Sequence, residues 1–145
     1  MRHVMLDTNM ASYVIKGTPP QVRHRLTATP SDAVVVSVVT KAELLYGVAR
    51  KGNPPRLARL VDELLRRVRV LPWDDSAAEA YARVGASCAA QGITLTALDM
   101  MIATHAVATD AVLITHDTAF THIPDGALTV EDWAANPPPV HDPPA

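Results

Sequence analysis

The sequence is short of the residues on which several protein classes depend. It has one cysteine in 145 residues, Cys88, so an internal disulfide is excluded and a reducing compartment fits. Aromatic residues are only 4% of the chain. No run approaches the roughly 20 apolar residues needed to span a bilayer, so no membrane association is expected. The start, Met1-Arg2-His3-Val4-Met5-Leu6-Asp7, reaches an acid too soon for a secretory h-region, which predicts a cytoplasmic protein. Histidine spacing and the lone cysteine do not supply a zinc site. After Arg83 there is no Lys or Arg at all.

What is present is an ordinary globular composition, 48% hydrophobic and 19% charged, of a length that suits one domain. Net charge is −2, but it is unevenly distributed. Arg50, Lys51, Arg56, Arg59, Arg66, Arg67 and Arg69 face only Asp62 and Glu63 between positions 50 and 69, whereas Asp99, Asp110, Asp117, Asp125, Glu131, Asp132 and Asp142 follow without a cation. Such a polarity permits a polyanion to be steered towards a site that is itself acidic. A solvated amphipathic helix is the plain alternative.

Residues 1–135 read as a single domain and 136–145, with Asn136-Pro137-Pro138-Pro139, as a Pro-rich extended tail outside it. Strand-like and helix-like segments alternate. His3–Leu6, Ala33–Val38, Val68–Leu71, Ala111–Thr115 and Leu128–Val130 predict strands. Helices are expected over Asn9–Lys16, Gln21–Ala28, a segment capped by Thr40 with Glu43 in a capping box, Leu57–Val68, a segment from Asp74 or Asp75 to Gln91, and Thr96 or Ala97 to Ala108. Strands separated by helices imply an α/β fold with a mainly parallel sheet covered on both faces. In such sheets ligands bind beyond the carboxyl ends of the strands.

Three acids fall at that edge. Asp7 follows the first strand, Asp117 the strand at 111–115, and Glu43 lies in the first turn of the helix after the strand at 33–38. Asp99 opens an apolar helix, where an unpaired buried charge is costly. Each acid alone has a local explanation as a cap or turn residue. Together they would repel, and a divalent cation relieves that; hard oxygen donors select Mg²⁺ or Mn²⁺.

Leu6-Asp7-Thr8-Asn9, Glu43-Leu44-Leu45-Tyr46-Gly47, Asp99-Met100-Met101-Ile102-Ala103 and Thr115-His116-Asp117-Thr118-Ala119-Phe120, in this order and spacing, resemble the PIN-domain ribonucleases. Val130-Glu131-Asp132-Trp133 is similar to the end of their VapC toxin branch, from bacterial type II toxin–antitoxin systems. The resemblance spans about residues 1–133 and implies a three-layer α/β/α sandwich, with Asp7, Glu43, Asp99 and Asp117 as the catalytic, metal-binding quartet. It implies Thr8, Asn9 and Thr115 as auxiliary residues. His116 stands where many relatives carry Asn and is a further auxiliary candidate. The implied activity is Mg²⁺- or Mn²⁺-dependent endonucleolytic cleavage of structured RNA, a tRNA or rRNA loop. The implied partners are a VapB-like antitoxin and a second copy of the chain. Arg50, Lys51, Arg56 and Arg59 are candidate RNA contacts. Two other readings compete: a PIN-like module that binds a partner without nuclease activity, and a phosphoaspartyl phosphatase with Asp7 as nucleophile. The latter wants an acid where Asn9 stands.

Overall fold

The computed structural model describes residues 2–124 and 126–135, so the tail expected over 136–145 lies outside the described residues. Five short strands form one sheet: β1 (Val4–Leu6), β2 (Val34–Ser37), β3 (Arg69–Leu71), β4 (Val112–Ile114) and β5 (Val130–Glu131). Their spatial order is β3-β2-β1-β4-β5 and every pairing is parallel. Six helices connect them: α1 (Thr8–Lys16), α2 (Pro20–Ala28), α3 (Val38–Arg50), α4 (Pro55–Arg67), α5 (Asp75–Ala90) and α6 (Ala97–Ala108).

The side-chain period of two splits the core into layers. Leu6, Val34, Val36 and Ile114 face a cluster with Met10, Val14, Val22, Leu26, Val61 and Leu64 from α1, α2 and α4. The alternate residues Met5, Val35 and Leu113 face Val84, Cys88, Ile102, Ala103 and Ala106 of α5 and α6. Burial on both faces explains why the central strands read as unbroken apolar runs. The α/β/α sandwich implied by the sequence is therefore the fold observed.

Most boundaries shift by a residue or two, α4 starting at Pro55 and β5 covering Val130–Glu131; the start of α3 differs in its cap. The strand predicted over 33–38 ends at Ser37, and Ser37, not Thr40, caps α3, its hydroxyl accepting from Val39 N at 3.1 Å. Thr40 is fully buried within the first turn, and Glu43 falls in the second turn rather than in a capping box. The physical reason is that Ser37 offers a cap oxygen three residues earlier, while a β-branched pair, Val38-Val39, is tolerated inside a helix. Three other helices are capped where polar signals sit, α1 by Asp7, α5 by Asp74 and α6 by Thr96, whereas α2 and α4 start after Pro19 and Pro54 with no side-chain cap.

Candidate active site

The parallel topology brings the ends of β1, β2 and β4 to one edge, and the acids follow from it. Adjacent registers are level there, Leu6 pairing with Val36 and with Ile114. Asp7 comes directly after β1 and Asp117 three residues after Ile114. Glu43 is carried by α3 and Asp99 by the first turn of α6. Asp7, Thr8, Asn9, Glu43, Thr96, Asp99 and Asp117, with Leu98 and Phe120, line a single open cleft of about 430 Å³. The four acids assigned to the quartet thus share one cleft although they are up to 110 residues apart, from Asp7 to Asp117. Among the described residues, however, no three acidic, histidine or cysteine side chains stand close enough to form a ready-made coordination shell.

Each carboxylate is placed by a specific neighbour. Asp7 is 4% exposed, and its Oδ1 accepts from Met10 N at 2.7 Å, capping α1. Its own N–H donates to Ile114 O at 3.1 Å, tying the first strand to β4. Burial pushes the Asp7 carboxyl up to about 6 from 3.8; hydrogen bonds from Thr115 and Met10 oppose this, and the charges of Asp99 and Asp117 add to it. The mutual repulsion expected of clustered acids is thus felt at Asp7. Glu43 Oε1 accepts from the Thr8 hydroxyl at 2.7 Å, and the Thr8 and buried Thr40 hydroxyl oxygens are 3.2 Å apart. Asp117 Oδ1 accepts from Ala119 N at 2.9 Å, and Asp117 N donates to Thr115 Oγ1 at 3.0 Å. Thr115 therefore touches both Asp7 and Asp117. The N–H of Asp99 donates to Thr96 Oγ1 at 3.2 Å.

The donors at this cleft are oxygen only and carry excess negative charge. That chemistry fits a hard divalent cation and does not fit zinc.

Of the predicted RNA contacts, only Lys51 approaches the site. It lines a groove with Lys16, Ser12 and Gly47 that shares Thr8 and Glu43 with the acidic cleft. Arg50, Arg56 and Arg59 are exposed on α3 and α4 and line neither cavity. Lys16 was not singled out by the sequence; its signal was its place in the last turn of a helix that starts at Asp7. His116 does not line the cleft but sits next to Asp117, its Nδ1 2.7 Å from Asp132 Oδ2. Ser37 and His105 were also missed. His105 Nδ1 lies 2.7 Å from Ser37 Oγ in the interior, linking α6 to the start of α3.

The family model described as PIN domain matches residues 4–126. The chain is 33% identical over 135 residues to the "tRNA(fMet)-specific endonuclease VapC" of Shigella flexneri, covering 92% of this chain and all of that protein. It is 34% identical over 131 residues to "Ribonuclease VapC1" of Haemophilus influenzae, covering 89% of this chain and 96% of that protein. Among solved structures, DNA-bound VapBC from Salmonella typhimurium superposes with a TM-score of 0.84 at 33% identity, covering 92% of this chain and 99% of that one. A shared sheet topology, an acidic cleft at its carboxyl edge and these likenesses lead to one conclusion: the chain belongs to the PIN-domain family, in its VapC branch.

Proposed function

We propose that this protein is a metal-dependent endoribonuclease toxin that cuts a structured RNA, a tRNA in the first instance, in the cytoplasm. A VapB-like antitoxin holds it inactive, and it works as a homodimer. The observation that carries the reading is the convergence of Asp7, Glu43, Asp99 and Asp117 on one cleft. Relatives named as a tRNA endonuclease and a ribonuclease support the RNA substrate, and a VapBC complex with the same fold supports the antitoxin partner.

Asp7, Asp99 and Asp117 would hold Mg²⁺ or Mn²⁺, with Glu43 beside them. The ion, when bound, supplies Lewis acidity towards water and the phosphodiester. The chain's own residues do the rest. Asp7 is held by Met10 N and almost fully buried, so it would be the most rigidly placed of the three ligands, while Asp99 and Asp117 are more accessible. Thr8 occupies one oxygen of Glu43 and leaves the other to orient the attacking water. Thr115 braces Asp7 against Asp117. Asn9 presents an uncharged amide to the phosphate, and Lys16 and Lys51 draw the polyanion along the adjoining groove. A phosphoaspartyl phosphatase finds no support here: Asn9 lines the cleft where the second acid would stand, and no Lys or Arg is among its lining residues.

The test is incubation of the purified protein with initiator tRNA in Mg²⁺ or Mn²⁺, read on a sequencing gel. Defined internal cuts are expected, lost on adding EDTA and lost in Asp99→Asn with an unchanged far-UV circular dichroism spectrum. Cutting that survives chelation overturns the metal dependence. Cutting that survives both chelation and Asp99→Asn overturns the site. A VapB-like antitoxin that binds the protein should suppress the wild-type activity when added in equimolar amount.

A further inference from the structure

A groove runs on from the acidic cleft between α1 and α3, with α4 on its third side. Thr8, Ser12 and Lys16 recur at every fourth residue along α1, and Glu43, Gly47 and Lys51 do so along α3 and its C-cap. That spacing puts each set on one helix face. Both helices leave the carboxyl edge of the sheet, so the two faces run side by side. Thr8 donates to Glu43 at 2.7 Å at the end shared with the cleft. Ser12 and Gly47 come one turn on, and Lys16 and Lys51 two turns on, about 12 Å from the start at 1.5 Å per residue. Ile15, Val48, Leu57 and Val61, all buried or half-buried, give the groove an apolar lining.

Gly47 is the residue that the fold does not account for. It stands inside α3 with ordinary helical backbone, where glycine is less stable than alanine. A Cβ built on it meets nothing within 4 Å, so no neighbour forbids a side chain. What a side chain would fill is the groove, whose volume is about 170 Å³. An apolar cavity of about 150 Å³ takes one benzene ring, so the space suits a single six-membered ring and not the fused pair of a purine. The Ser12 hydroxyl has no hydrogen-bond partner among the described residues and is left to the edge of such a ring. Neither Lys16 nor Lys51 forms an ion pair among the described residues, so both ammonium groups are left to phosphates.

We propose that this groove is a base subsite: it takes an unstacked pyrimidine of the RNA strand beside the phosphate that is cut, with Gly47 keeping the space open, Ser12 meeting the base edge and Lys16 and Lys51 drawing a neighbouring phosphate. Bases splayed out of a loop are the usual handle for sequence recognition in RNA. The inference rests on the ribonuclease reading above and adds to it a preference for the base that flanks the cut.

The test uses the full chain with Asp99→Asn, so that RNA is bound and not cut, and fluorescein-labelled octauridylate beside octaadenylate, read by anisotropy. Gly47→Leu, which fills the groove, should weaken octauridylate binding about tenfold, the scale of burying one apolar ring, and octaadenylate binding by no more than about twofold. Its melting temperature should equal or exceed that of the parent, because a helical glycine is replaced. Ser12→Leu fills the groove from the opposite wall and should do the same to binding, so the result does not hang on the folding of one variant. Gly85→Leu, at a helical glycine of α5 with equally open surroundings, should leave both affinities unchanged. Equal weakening of both probes by Gly47→Leu assigns the groove to the RNA backbone and overturns the proposal. No change on either probe overturns it too, and loss of VapB-like antitoxin binding in that variant would then give the groove to the antitoxin. In both cases cleavage of initiator tRNA by the wild type leaves the ribonuclease reading standing. A wild type that neither binds nor cuts RNA overturns both.

Discussion

At the scale of single residues, the site is a compromise between burial and charge. Asp7 is almost fully buried because it must both cap α1 and reach the cleft. Its carboxyl, pushed up to about 6, favours the protonated form in the folded chain. Its contribution to stability is therefore present at low pH and is lost as pH rises through about 6. In EDTA at pH 7.5, Asp7→Asn should be more stable than wild type, by up to about 3 kcal/mol if the whole shift from 3.8 to about 6 is realised. Asn caps a helix nearly as well as Asp, so little is lost there. Urea titrations at pH 7.5 and pH 4 check this, since the advantage should disappear at the lower pH. His105 has the opposite sign. Burial lowers its pKa below 6.5, so the unfolded chain binds the extra proton and stability falls as pH drops below that value. The stability margin of wild type over His105→Gln should shrink between pH 7 and pH 5. A margin that grows on acidification contradicts the assignment of His105 as a buried neutral ring.

At the scale of elements, helix starts decide where functional side chains point. Ser37 ends β2, caps α3 and meets His105 of α6. It therefore fixes the two helices that carry Glu43 and Asp99. Ser37→Ala removes a cap worth about 1 kcal/mol and leaves a buried imidazole nitrogen without its partner, a further 1–3 kcal/mol or so. A loss of about 2–4 kcal/mol in urea unfolding is expected, with cleavage reduced by more than the folded fraction accounts for. Gly17 ends α1 at φ 77°, where its N–H meets Tyr13 O. A Cβ there would lie 2.8 Å from the Arg23 guanidinium, which bonds to Val14 O. Gly17→Ala should cost about 1 kcal/mol or more. Capping signals located the starts of α1, α5 and α6 to within a residue, at Asp7, at Asp74 or Asp75, and at Thr96 or Ala97. They misled at α3, where two candidates stood three residues apart. Ser37 and Thr40 both qualify by residue type, and only the length of β2 allowed by its pairing with β1 and β3 chooses between them.

At the scale of the whole molecule, the charge asymmetry has a direction. Lys16 and Lys51 line the groove that shares Thr8 and Glu43 with the acidic cleft, while the arginines of α4 are spread over its exposed face. RNA affinity of the Asp99→Asn protein should fall steeply with salt. Lys16→Ala and Lys51→Ala should each lower the slope of log affinity against log salt by about 1, whereas Arg59→Ala should leave it nearly unchanged. Equal slopes for all three variants would place the RNA elsewhere. The sequence by itself determined the alternation of strands and helices, the buried parallel sheet and three of the acids at its edge, Asp7, Glu43 and Asp117. Those follow from local hydrophobic period, from caps and from the rule that parallel strands need crossovers. Only the tertiary structure decided the height of Asp99, the pairing of His116 with Asp132, the buried Ser37–His105 link and which lysines line the groove beside the cleft. These depend on how helices pack against one another and against the sheet, and no single stretch of chain contains both partners.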